Sequence, residues 1–235
     1  MSERAQQAGT RLALLGTALY LSEWLVIPFV ADLPTDDLGE GAASIAAAYE
    51  GHGTELAFIA GYLSFALLGR VVFVAALRSV LPDSALSRTL MDVAIAAMAI
   101  GVAIEIIQLG LTSTAAWLAE AGADAGPIVA LDGASSVLFT QVVATTGAAV
   151  LASSTAMLLS GLFPRWLAWV GVVDGVLVIA GGIVGATGAG DSGTVHDLAD
   201  PLTGPPVALF WLWMIATSIV LFRRASRGRV AAQRP

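Results

Sequence analysis

The sequence predicts an all-α membrane protein, a six-transmembrane helix bundle with the N-terminus and the C-terminus both cytoplasmic. Three observations predict it. Of the 235 residues, 57% are hydrophobic and only 12% are charged, against about 25% charged in a soluble domain; mean hydropathy is +0.83. Six apolar runs occupy residues 11–31, 54–80, 89–114, 133–160, 166–188 and 205–222, and a bilayer core needs about 20 residues of helix. Arg is confined to alternate connections. Ten of the eleven Arg lie in the N-terminal segment, the second and fourth connections and the basic tail at 223–235, and none lies in the first, third or fifth connection. Basic residues stay on the cytoplasmic side, so this alternation supports both the span count and the orientation.

The elements follow in order. Within the first run, residues 12–31 are apolar except for Ser22 and Glu23. A cleaved signal peptide has a shorter apolar region without an acid inside it, so this run reads as a retained span. The first connection carries Asp32, Asp36, Asp37, Glu40 and Glu50, with room for a short surface helix at 41–49. The second span contains Arg70 and ends at Arg78; a tight turn with Pro82 leads to Arg88 and the third span. Residues 115–132, with Trp117, Glu120, Asp124 and Asp132, read as an acidic interfacial loop. The fourth span is rich in Ala, Ser and Thr, and a Pro164–Arg165 turn leads to the fifth. A loop at 189–204 with His196, Asp197 and Asp200 precedes the sixth span, which holds Trp211 and Trp213. Only helices or closed barrels satisfy the backbone in lipid, and runs of this length mean helices. Gly171 and Gly175, and Gly181 and Gly185, are spaced for close helix contact. That spacing serves packing within one chain or a homodimer seam.

The third span, TLMDVAIAAMAIGVAIEIIQLGLTST at 89–114, is central because it carries Glu105 and Gln108 deep in an apolar run. A carboxylate at that depth costs roughly 2.5–3.5 kcal/mol on insertion scales and therefore faces a bundle interior or a watery cavity. Other spans supply groups to meet it: Glu23, Arg70, Gln141 and Asp174. At 1.5 Å of rise per residue, Glu23, Glu105 and Gln141 fall in one layer, with Arg70 and Asp174 in another nearer the cytoplasm. Asp92 is expected to pair with Arg88 on the surface, one helical turn away. Three buried carboxylates face one Arg, which stays ionised and holds one of them. The remaining acids are the chemistry of a proton-linked site or of a cation site; the same residues also suit a hydrogen-bond network that only specifies packing.

The expected function is therefore a carrier of a small molecule or ion, or a membrane sensor, with Glu23, Arg70, Glu105, Gln108, Gln141 and Asp174 as its binding centre. Expected partners are the lipid bilayer of the plasma membrane, a small-molecule, cation or proton ligand, and a homodimer or larger membrane complex; nucleic acid is not expected. The alternatives are a non-catalytic subunit of a larger membrane complex and an intramembrane acid/base enzyme using Glu23 and Glu105. The chain has neither Lys nor Cys, which excludes a retinal Schiff base, thiolate catalysis and thiolate metal sites. No H-E-x-x-H, Walker or G-x-S-x-G motif is present, so no catalytic residue, metal ligand or cofactor is assigned. His52 with Glu55 and His196 with Asp197 and Asp200 would assemble a metal site only if the first and fifth loops meet, and their spacings match no established metal motif.

Residues 161–175, GLFPRWLAWVGVVDG, carry a resemblance. The Pro-Arg-Trp-Leu turn before a Gly-rich span resembles the domain-of-unknown-function 4386 family of small multi-pass bacterial membrane proteins, and the layout of the earlier spans is similar. The resemblance implies an integral membrane protein and supplies no activity or catalytic residues. Asp174 stands where that pattern leads one to expect a small or apolar residue.

Overall fold

Helix follows helix along this chain. A computed structural model describes residues 3–26, 41–188 and 194–232, with side chains over 7–26, 41–187 and 204–226. Helix α1 is Glu3–Leu21, continued by one 3-10 turn, Ser22–Leu25. Then come α2, Ala42–Tyr49; α3, Gly53–Val80; α4, Ala85–Glu120; α5, Ala125–Ser160; α6, Arg165–Gly188; and α7, Thr194–Ala232. No strand occurs among the described residues. Five helices are long and apolar enough to cross a membrane: α3, α4, α5, α6 over Arg165–Thr187 and α7 over Gly204–Ser226. Residues 27–31 of the expected first span, and the acids of the first connection up to Glu40, lie outside the described residues.

Two boundaries differ from the sequence reading. The expected loop at 115–132 is mostly helix, because α4 runs on to Glu120 and α5 starts at Ala125. Ala-rich sequence such as Ala115–Glu120 favours helix whether or not lipid surrounds it. The real connection is four residues, with Gly122 at φ 69°. Asp132 is thereby a buried helical residue, not a loop acid: its Oδ1 accepts a hydrogen bond from the Tyr49 hydroxyl. This ties α2 onto α4 and α5 around Ile45, Leu56, Ala115, Ala116 and Ile128. At the other junction, backbone helix already begins at Thr194, within the expected fifth loop.

The helix ends are closed by local chemistry. Ser84 caps α4, its hydroxyl accepting from the Ser87 N–H at 3.1 Å, as an N-cap Ser should. Gly161 ends α5 at φ 62°, a left-handed cap that costs a glycine little. Glu120 Oε1 accepts from the Gly53 N–H at 2.8 Å, so the end of α4 secures the start of α3.

The long helices form a closed ring. Each of α3 to α7 packs on its neighbours in the chain, α1 packs on α3, and α7 returns to α1. Thr17 and Ser218 exchange a hydroxyl hydrogen bond of 2.8 Å across that last seam. Trp211 Nε1 donates to the Tyr20 hydroxyl at 2.7 Å further along it, so α1 and α7 run antiparallel. Two seams bring backbones together. A Cβ on Gly16 would lie 2.7 Å from the Gly69 carbonyl oxygen, and one on Gly175 would lie 2.6 Å from the Leu151 nitrogen. Gly171 and Gly175 thus serve packing within the chain.

The half of the ring nearer Arg78, Arg88 and Arg165 is filled by Phe73, Met91, Met98, Met157, Trp213 and Met214, each 1% exposed or less. Phe73 meets Trp213 edge-on across the ring at 5.7 Å. The outer surface is the reverse of a soluble protein's. Phe58, Phe65, Ile100, Ile107, Val173, Ile183 and Leu212 are all more than half exposed. Apolar belts of this extent require an apolar solvent.

Candidate functional site

Arg70 is the hub of the open half of the ring. It sits on α3 directly after Gly69, whose close contact with Gly16 brings α1 against it. The side chain is only 4% exposed. Its Nη2 donates to Glu105 Oε2 on α4, its Nη1 to Thr146 Oγ1 on α5 at 3.5 Å, and its Cζ lies 4.9 Å from the centre of the Tyr20 ring on α1. One guanidinium therefore joins four helices through an ion pair, a hydrogen bond and a cation–π contact. Gly101, one turn before Glu105, makes room: a Cβ there would lie 2.7 Å from Thr145 Oγ1 on α5.

Beside this hub is a cavity of about 210 Å³, lined by Tyr20, Glu23, Arg70, Glu105 and Thr146 and by the apolar Phe139, Val142, Val143, Val178, Val207, Phe210 and Trp211. Every member of the ring contributes to it. Glu23 reaches it from the 3-10 turn that ends the first helix. The residue is 7% exposed, and its Oε1 has no hydrogen-bond partner. Trp211 is held from both sides, by its bond to Tyr20 and by edge-on contact with Trp24 at 4.6 Å.

The structure brings together three of the six residues expected at the centre: Glu23, Arg70 and Glu105. The expected layering is corrected, since Arg70 pairs across to Glu105 rather than standing in a layer with Asp174. Gln108 is adjacent but turned to α5, where its Nε2 donates to Ser135 Oγ at 2.9 Å; Thr112 shares that hydroxyl. Gln141 is exposed on the outside of the ring and does not line the cavity. Asp174 is 0% exposed, also away from the cavity, and neither of its oxygens has a partner. One turn before it, the missing side chain of Gly171 leaves α6 against Ser154 Oγ and Trp213 Nε1, two more buried groups without partners. A second polar spot thus lies inside the packed half of the ring.

The expected Asp92–Arg88 surface pair is corrected. Asp92 accepts from Arg78 Nε at 2.8 Å, and Arg88 pairs with Asp83 at 2.8 Å, so the pairs run Arg78–Asp92 and Arg88–Asp83. Exposed as they are, such pairs contribute little. His52 Nδ1 lies 3.5 Å from Glu55 Oε2; the side chains of His196, Asp197 and Asp200 lie outside the described residues. The sequence reading missed the aromatic wall. Tyr20 was findable, being three residues before Glu23 and so on its face, whereas Phe139 and Phe210 are indistinguishable from lipid-facing residues by sequence. No family model, curated protein or solved structure matches this chain. Its geometry is that of a helical bundle, with five helices able to cross a membrane and a largely apolar chamber whose wall includes Glu23, Arg70 and Glu105.

Proposed function

We propose that this is a six-span protein of the plasma membrane, with α1 and the residues following it as the first span and both termini cytoplasmic, and that its chamber binds a small molecule or ion for carriage or sensing. The positive-inside pattern supports the orientation. One observation carries the functional reading: the chamber holds two acids and one base, and the base is already ion-paired to one of the acids. Arg70 Nη2 and Nη1 are engaged by Glu105 and Thr146, while its Nε and Glu23 Oε1 have no hydrogen-bond partner. A buried carboxylate with one oxygen left unpartnered is costly, and a proton or a bound cation at that oxygen balances it. A network serving packing alone would instead leave no open volume beside the unpartnered acceptor.

The natural absence of cysteine gives a clean test. Val142→Cys and Val207→Cys, both in the chamber wall, are expected to react with a small neutral water-soluble thiol reagent in the purified full-length protein. Met98→Cys in the packed half is expected to stay inert. If the two chamber cysteines are as inert as the one at Met98, the polar centre is sealed packing and the binding reading fails.

A further inference from the structure

We propose that the chamber is selective for a monovalent organic cation with an apolar body, such as an aromatic amine or quaternary ammonium. This rests on the chamber being a ligand site, and three independent features of its wall specify the ligand.

Charge is the first. Arg70 is the only Arg among the lining residues, and Glu105 neutralises it. An anionic ligand would have to break that buried pair. Glu23 is more than nine-tenths buried with Oε1 unpartnered; Arg70 Nε is also unpartnered, but two acids against one base leave the net attraction of the chamber for positive charge.

The second is the chemistry around that charge. A bare alkali or divalent ion gives up its water only to a shell of about six oxygens. The chamber wall offers few oxygens and four aromatic rings, Tyr20, Phe139, Phe210 and Trp211. Aromatic faces attract weakly hydrated organic cations, which is the physics of quaternary ammonium cages. The protein already makes one such contact, with the Arg70 guanidinium over the Tyr20 ring at 4.9 Å. Trp211 is oriented in advance by its hydrogen bond to Tyr20 and its contact with Trp24, so little ordering is lost on binding.

Size is the third. An apolar cavity of about 150 Å³ holds benzene. The chamber, at about 210 Å³, has room for such a ring and a small cationic head. Its remaining walls, Val142 and Val207 among them, are aliphatic and suit the apolar body rather than a sugar or nucleotide.

The test uses purified full-length protein carrying Val207→Cys, with protection of that cysteine from the neutral thiol reagent as the readout. The probes are benzyltrimethylammonium, benzyl alcohol, phenylacetate and sodium chloride. Benzyltrimethylammonium is expected to protect about tenfold more strongly than benzyl alcohol, with phenylacetate and sodium ion ineffective. Added Glu23→Gln should abolish that preference while leaving the weak effect of benzyl alcohol. Should Glu23→Gln not fold, Trp211→Leu serves instead and is expected to weaken cation protection several-fold. Equal protection by the cation and benzyl alcohol, or protection by phenylacetate, overturns cation selectivity while leaving a ligand chamber in place. A cysteine inert without any probe overturns the chamber as well.

Discussion

Arg70 joins α1, α3, α4 and α5 with one side chain, and its removal has a definite cost. Arg70→Met leaves the partly buried Glu105 without its partner, a loss of up to about 3–5 kcal/mol of stability. Glu105→Leu alone strands the guanidinium at similar cost, and the double variant is expected to recover most of the loss, because the apolar replacements fill the space without charge. Thermal unfolding in detergent checks this; a double variant as unstable as the sum of the singles would mean the two side chains act independently. Asp174 should behave in the opposite way. With neither oxygen partnered, replacement by the neutral Asn is expected to stabilise the protein by about 1–3 kcal/mol, and a clear loss of stability in Asp174→Asn would show that the carboxylate has a partner in solution. Glu23, Arg70 and Glu105 were legible in the sequence because a charge in an apolar run has few places to go. Their pairing was not, since depth along a helix leaves the rotation of that helix undetermined. Gln141 fails for this reason: it has the right depth and the wrong face. Asp132 was illegible because its partner, Tyr49, comes from a short helix whose docking no local pattern encodes.

At the scale of the element, the helices were legible from length and hydropathy, but their ends were not. Apolar patterning marks where lipid is, whereas Ala-rich sequence prolongs a helix beyond it, as α4 and α5 do at 115–120 and 125–132. The seams follow from missing side chains. Gly16 and Gly69 let α1 and α3 touch backbone to backbone directly beside Tyr20 and Arg70. Gly69→Val is expected to force the helices apart, costing about 1–3 kcal/mol and reducing the reactivity difference between chamber and packed cysteines. A Cβ on Gly61 of the same helix would have no neighbour within 4 Å, so Gly61→Ala should leave stability unchanged or slightly raised. Equal effects at the two glycines, read by thermal unfolding, would mean that the α1–α3 contact is looser than described.

For the whole molecule, the proposed orientation makes a plain prediction. Asp83→Cys, in the turn before α4, should be shielded from an impermeant thiol reagent applied to intact cells, and Asp124→Cys, in the turn after it, should react. Both side chains are exposed, so access depends only on the side of the membrane. Labelling of Asp83→Cys from outside would reject the six-span orientation. The closed ring has another consequence. Since α1 and α7 lie antiparallel and in contact, the point at which the polypeptide begins is an accident of connectivity rather than a feature of the shape. A circular permutant that opens at the Gly161–Pro164 turn and joins the original ends by a short polar linker keeps every neighbour and every helix direction. Such a protein would insert α6 and α7 first and α5 last, and would still enclose the same chamber.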